Sequence, residues 1–424
     1  VCAPLVVGIQ TATAAPVPGG TLDPTTIPKY VTPLVIPPVM KNAGTDNDYD
    51  IAVRQFKQQI LPGGHWNTLS PACAADPTLC TLPATTVWSY GPADDDPPNS
   101  SDIPGGAAGL APALNSQFNY PAYTVENTSN VATSVDWIND LVDADGNSLP
   151  HILPVDQTLH WANPRGTDCL SGDANRTDCR TGNQEPYTGP VPIVTHVHGA
   201  HTTPNSDGYT EAWWLPDAEN VNCIDPATPA EDRGPNDYVC QGTQANKFGV
   251  APNTNVTPGV GTFAYPNDQP STTLWYHDHT LGMTRNNVYA GPAGFWLIRD
   301  ADSPTGETGL DAGMILPGPA PAAGEGLAET NLPPGRNKYR EIPIVIQDRS
   351  FNADGSLFYP ANRAFFEGLG DGQTASTAGN IAAGLDIPFT AGDDRGPSDI
   401  APIWNPEAFF NTMVVNGVSW PVQE

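Results

Sequence analysis

The chain has 424 residues and pairs 17 Lys and Arg with 46 Asp and Glu, giving a formal charge of −29. Such a charge repels nucleic acid and anionic membranes and excludes non-specific binding to either. Gly (41) and Pro (47) make up about a fifth of the sequence. Helix-rich architectures suffer most from this, since Pro costs about 3 kcal/mol and Gly about 1 inside a helix. No apolar run approaches the ~20 residues needed to span a bilayer. The expectation is a loop-rich, all-β protein.

Residues 1–48 are rich in Pro, Thr and Val and read as an extended arm. Strands are expected at 51–61, 85–90 (TTVWSY), 120–126 (YPAYTVE) and 132–138 (ATSVDWI), from β-branched and aromatic alternation. Clearer runs follow at 191–198 (VPIVTHVH), 272–277 (TTLWYH) and 293–298 (AGFWLI). Apart from the strand at 85–90, residues 62–116 read as turn-rich, and 163–190 and 216–262 read as loops. A Pro/Gly/Ala-rich linker is expected over 301–338, dividing a first domain at 49–300 from the beginning of a second at 339–424. Strands at 341–347 (EIPIVIQ) and 412–415 (TMVV) open that second unit.

Six of the seven cysteines form local pairs, Cys73 with Cys80, Cys169 with Cys179 and Cys223 with Cys240, each in loop-like sequence. A bridge there restrains a loop with no core of its own. Cys2 is left over. Sequons at Asn99, Asn127, Asn175 and Asn255 fit a secreted protein. The chain starts with Val and carries no signal-peptide pattern, so a mature, exported protein is expected.

The eight histidines all precede residue 280, and four fall in two His-x-His pairs: His196/His198 and His277/His279. Each pair ends an expected strand, where residues i and i+2 share a face with Cα atoms about 6.5–7 Å apart. One such pair alone reads as coincidence or exposure. Two pairs on neighbouring strands surround one small volume with four imidazoles, and neutral imidazole suits copper, zinc, iron and nickel.

The sequence from His196 to Gly199, with Ser206-Asp207-Gly208-Tyr209 and Glu211-Ala212-Trp213, resembles the first copper motif of the multicopper oxidases. Residues 275–300 (WYHDHTLGMTRNNVYAGPAGFWLIRD) resemble the second. The segments 348–360 and 415–421 resemble those that open the second domain in the branch containing spore-coat laccase, bilirubin oxidase and phenoxazinone synthase. The resemblance implies cupredoxin-like Greek-key β-sandwich domains, three to a complete chain, with three coppers between the first and the third. It implies that His196 ligates the type 2 copper, that His198, His277 and His279 ligate the type 3 pair, and that Asp207 assists proton delivery. Asp207 also reads as an ordinary turn residue. Trp275 and Tyr276 are expected in the core.

The family's third domain carries the other four histidines and the Cys of the type 1 copper, yet residues 280–424 here contain no His and no Cys. The resemblance therefore implies half of a trinuclear site, completed by a C-terminal cupredoxin portion on a second chain or a longer one. The activity implied is one-electron oxidation of phenols, other aromatics or Mn(II), coupled to four-electron reduction of O2 to water. Two alternatives stand beside it. One is a non-catalytic copper-binding relative. The other is a zinc hydrolase using His196-x-His198-x-x-His201, which resembles the metallo-β-lactamase fold except that Ala200 stands where that fold has an acidic residue.

Overall fold

A computed structural model describes residues 21–35, 39–40, 48–64, 66–94, 118–156, 161–165, 187–248, 258–299, 343–360 and 410–422. The expected linker at 301–338, Cys2, and the Cys169/Cys179 pair lie outside the described residues. The first sheet has the order β2-β1-β4-β8, built from β1 (Asp48–Gln58), β2 (Thr85–Pro92), β4 (Thr133–Asn139) and β8 (Val260–Tyr265). The second has the order β3-β10-β9-β5, from β3 (Ala122–Thr128), β10 (Ala293–Arg299), β9 (Thr272–Asp278) and β5 (Thr195–His198). A two-stranded ladder of β6 (Asn222–Cys223) and β7 (Asp237–Tyr238) lies outside both.

Alternation decides which faces meet. In β4, Val135 and Trp137 are buried while Ser134 and Asp136 between them are half-exposed. Trp137 meets Tyr90 of β2 at 5.3 Å and Tyr276 of β9 at 5.5 Å, and Tyr265 of β8 meets Trp296 of β10 at 4.8 Å. These rings close the two sheets face to face, and each aromatic pair adds about 0.5–1.5 kcal/mol beyond its buried area. Except for Trp296 Nε1, which is buried without a partner, their polar tips are satisfied. Tyr276 Oη donates to the Tyr123 carbonyl at 2.7 Å, Trp137 Nε1 donates to Tyr265 Oη at 3.1 Å, and Tyr90 Oη shares a 2.9 Å bond with Thr195 Oγ1.

A third sheet, β12-β11-β13-β14, comprises β11 (Ile346–Phe351), β12 (Leu357–Phe358), β13 (Thr412–Val415) and β14 (Val418–Ser419). Its Phe351, Leu357 and Val414 join the same buried cluster as the sandwich. Buried Gln58 ties the units together, donating from Nε2 to the carbonyls of Tyr120 (2.9 Å) and Gly417 (3.1 Å). The described part of the expected arm is extended except for a 3-10 turn at Pro24–Thr26. Leu22 N–H donates to Phe351, Leu34 N–H to Val422, and Met40 N–H to Thr124, so the arm crosses from the third sheet to β3.

Three expectations change. Residues 191–198 form a strand only from Thr195, because Pro190 and Pro192 have no N–H to give a ladder. The loop expected over 216–262 contains β6, β7 and the start of β8. The turn-rich stretch expected over 62–116 contains two short helices, α1 (Trp66–Leu69) and α2 (Pro71–Ala75). Ser70 Oγ caps α2 by accepting from Cys73 N–H. Of the expected disulfides, Cys73–Cys80 and Cys223–Cys240 are formed.

Candidate metal centre

β5 and β9 are antiparallel, and their register puts His196 opposite His277 and His198 opposite Trp275. These four side chains share one face. Thr195, Val197, Tyr276 and Asp278 take the other face, and all four are buried in the core. A ring nitrogen from each of His196, His198 and His277 lies within 4.8 Å of the other two. His279 follows β9, its N–H held by the Val194 carbonyl at 2.7 Å, and its ring stacks on His196 at 4.7 Å. All four residues assigned from the motifs thus meet in one place.

The protons on these rings decide whether a metal fits. His277 Nδ1 bonds the Asp278 carbonyl at 2.7 Å, and His279 Nδ1 bonds the Gly208 carbonyl at 2.9 Å. His196 Nδ1 bonds the Asp207 carbonyl. A carbonyl only accepts, so each Nδ1 carries the hydrogen, and in a neutral ring Nε2 keeps its lone pair. A backbone carbonyl on the far nitrogen is the usual way a metal-ligating histidine is oriented. His277 Nε2 is moreover buried with no hydrogen-bond partner, a cost that a metal ion would remove.

Burial keeps the His277 and His196 rings neutral. It lowers the His277 pKa to about 4, helped by the neighbouring imidazoles His196, His279 and His198. Burial likewise lowers that of His196, against the raising effect of its bond to Asp207. Those two donors are therefore neutral imidazole at physiological pH, which suits copper or zinc over magnesium or calcium. Asp207 is half-exposed, and its Oδ1 lies 3.4 Å from His196 Nδ1. His201 stands apart. Its ring is 67% exposed and faces Asp268 at 3.3 Å, so the His196/His198/His201 grouping is not assembled.

A buried polar chain supports the cluster from behind. Asp278 is fully buried and accepts from Val194 N–H (3.2 Å), Thr280 N–H (3.1 Å), Thr280 Oγ1 (2.8 Å) and Asn287 Nδ2 (2.9 Å). Burial outweighs these donors and raises its pKa to about 6. Asn287 lies on α3 (Thr284–Ala290), and its Oδ1 accepts from His151 Nε2 at 2.7 Å. His151 Nδ1 accepts from Leu153 N–H at 2.9 Å, which fixes its tautomer. The sequence reading missed Asp278, Asn287 and His151. One signal was present: a residue between two ligands on a strand must face the core, and a core carboxylate needs donors. Trp275, expected in the core, is instead 39% exposed beside the imidazoles, because alternation turns Tyr276 inward in its place.

No protein-family model matches the chain. It is similar to a laccase of Bacillus stratosphericus, 29% identical over 304 residues covering 72% of this chain and 37% of that protein. A laccase of Haloferax volcanii is 27% identical over 344 residues, covering 79% of this chain and 37% of that protein. The crystal structure of a laccase from Pediococcus acidilactici superposes with a TM-score of 0.40 at 14% identity, over 93% of this chain and 43% of that one. The chain is thus similar in sequence to laccases and multicopper oxidases over most of its length, and its first two sheets pack face to face as a β-sandwich. It spans little more than a third of the length of the curated relatives it matches.

Proposed function

We propose that this chain provides half of a trinuclear copper centre in a laccase-like oxidase, with His196 on the type 2 copper and His198, His277 and His279 on the type 3 pair. The observation that carries this reading is the set of three Nδ1–H groups committed to backbone carbonyls, which leaves three Nε2 lone pairs at one cluster. Bound copper would supply one-electron chemistry and the place where O2 is reduced to water. The chain's own residues present neutral lone pairs, keep the His277 ring dry, and hold a carboxylate, Asp207, at the exposed rim. Asp207, its Oδ1 3.4 Å from His196 Nδ1, would assist proton delivery to the site. The remaining ligands and the type 1 copper would come from a C-terminal cupredoxin portion, and the reducing substrates would be phenols, other aromatics or Mn(II). Disulfides at Cys73–Cys80 and Cys223–Cys240 support a place outside the reducing cytoplasm.

Native and denaturing mass measurement with metal analysis tests this reading. The expected result is copper bound in preference to zinc, and O2 consumption with a phenol or Mn(II) only when a His- and Cys-bearing portion is present. His277→Ala should abolish the type 3 signal while leaving the blue type 1 band of the assembled protein. Preference for zinc without O2 consumption, or normal oxidase activity of His277→Ala, would overturn the assignment. Copper binding without O2 consumption in the complete assembly would leave a non-catalytic relative.

A further inference from the structure

Three of the four imidazoles owe their orientation to backbone carbonyls, and His198 does not. Among the described residues, nothing hydrogen-bonds its ring. What holds it is Trp275, directly across the ladder, with ring centroids 5.4 Å apart and planes inclined by 22°. The same indole lies 4.1 Å from the ring of His277. His196, His198, His277 and Trp275 thus occupy the corners of one cross-strand square, three imidazoles and one indole. The indole has a single N–H donor and no lone pair to offer a metal, so it cannot serve as a fourth ligand. It lies against His198 and His277 at 39% exposure, whereas Tyr276 beside it is wholly buried.

We propose that Trp275 is a positioning residue of the metal centre, stacking on His198 so that this ring presents its nitrogen to the site in one rotamer. An exposed histidine at a strand end otherwise samples several staggered wells and must be ordered when metal binds. The inference rests on the reading that the cluster holds copper. It adds a residue that touches no metal and acts through His198.

The test is a calorimetric titration of the 424-residue chain with Cu(II), with the bound ion followed by electron paramagnetic resonance. Trp275→Ala should weaken binding about tenfold or more and turn a single Cu(II) signal into several. Trp275→Phe, which keeps a ring face, should stay within about threefold of the parent. In a His198→Ala background, Trp275→Ala should cost less than about threefold, because the ring it orients is gone. Should Trp275→Ala unfold, Trp275→Leu replaces it, with the same tenfold loss expected. Equal losses with and without His198, unchanged affinity in Trp275→Ala, or a Trp275→Phe as impaired as Trp275→Ala would each overturn the proposal. A parent chain that takes up no Cu(II) would overturn the copper reading and this inference with it. Uptake with no dependence on Trp275 would overturn this inference alone.

Discussion

The carbonyl of Gly208 accepts a hydrogen bond from Nδ1 of His279 at 2.9 Å. The preceding carbonyl, of Asp207, accepts from Nδ1 of His196. One turn therefore orients an imidazole from each His-x-His pair. The turn needs glycine twice over. Gly208 has φ +77°, and a Cβ there would lie 2.2 Å from the Thr195 carbonyl oxygen, on the strand that carries His196. Gly208→Ala is expected to weaken Cu(II) binding by about ten- to a hundredfold and to destabilise the chain by about 1–3 kcal/mol. Asp207→Ala keeps its backbone carbonyl and should lose far less affinity. Calorimetric titration and urea unfolding read the two effects separately.

The clustering of the imidazoles was legible in the sequence because a strand has period two: His-x-His at a strand end puts both rings on one side whatever surrounds them. The strand at 412–415 was read with its exact bounds for the same reason, an apolar run with no competing signal. What escaped depends on tertiary partners. β8 was hidden by Gly261 and Ala264, weak strand formers, yet Gly261 is required because the Trp214 indole sits 2.5 Å from where its Cβ would be. α3 (TRNNVYA) has little intrinsic helix propensity, and Asn287 earns its place through bonds to Asp278 and His151. The carbonyls of Asp207, Gly208 and Asp278 have no sequence signature at all, since every residue has one.

Removing a member of the chain behind the cluster should be costly, and not additively so. Asn287→Ala strips a donor from the fully buried Asp278 carboxylate and the acceptor from His151 Nε2–H. A loss of about 2–4 kcal/mol is expected, because a buried charge and a buried donor are both left short. Asp278→Asn removes the charge that Asn287 serves. The double variant should therefore be more stable than the two separate losses predict, by about 1 kcal/mol. Equilibrium denaturation of the four proteins measures this coupling, and strict additivity would mean that the chain does not act as a unit.

Acid should destabilise the fold through His151. Burial lowers its pKa to about 4, against about 6.5 in an unfolded chain. Between those values the unfolded state binds the proton and the folded state does not, so stability falls as pH drops from about 6.5 through 4. A separation of that size corresponds to roughly 3 kcal/mol. Asp278, raised to about 6, works in the opposite sense: it favours the fold more as pH falls from about 6 towards 4. The parent profile mixes these effects with that of His277, whose pKa burial also lowers to about 4, whereas the difference between the parent and His151→Gln isolates His151. Urea midpoints between pH 7 and 4 should fall less steeply in His151→Gln, with the two curves separating by roughly 3 kcal/mol over the window. Parallel curves would mean that His151 takes up its proton in the folded state as readily as in the unfolded one.

At Asn127 the structure reverses the expectation that its sequon raises. Asn127 lies in β3 and is 6% exposed, its Oδ1 accepting from Thr133 Oγ1 at 2.7 Å. Nδ2, the atom to which an N-linked glycan attaches, is buried. A sugar there could be accommodated only by parting Asn127 from β4, at the cost of this bond and of the packing around it. When the chain is produced in a glycosylating host, folded material should carry Asn127 unmodified, although Asn127-Thr128-Ser129 is a complete acceptor sequence. Peptide mapping after enzymatic deglycosylation in heavy-oxygen water labels only asparagines that bore a glycan. An unlabelled Asn127 is expected in the soluble, folded fraction, and labelled Asn127 should be confined to aggregated or degraded chains. Stoichiometric labelling in folded protein would mean that β3 does not pack against β4 at this position. The sandwich face formed there by Thr133, Asn127 and Asn267 would then have to be drawn differently.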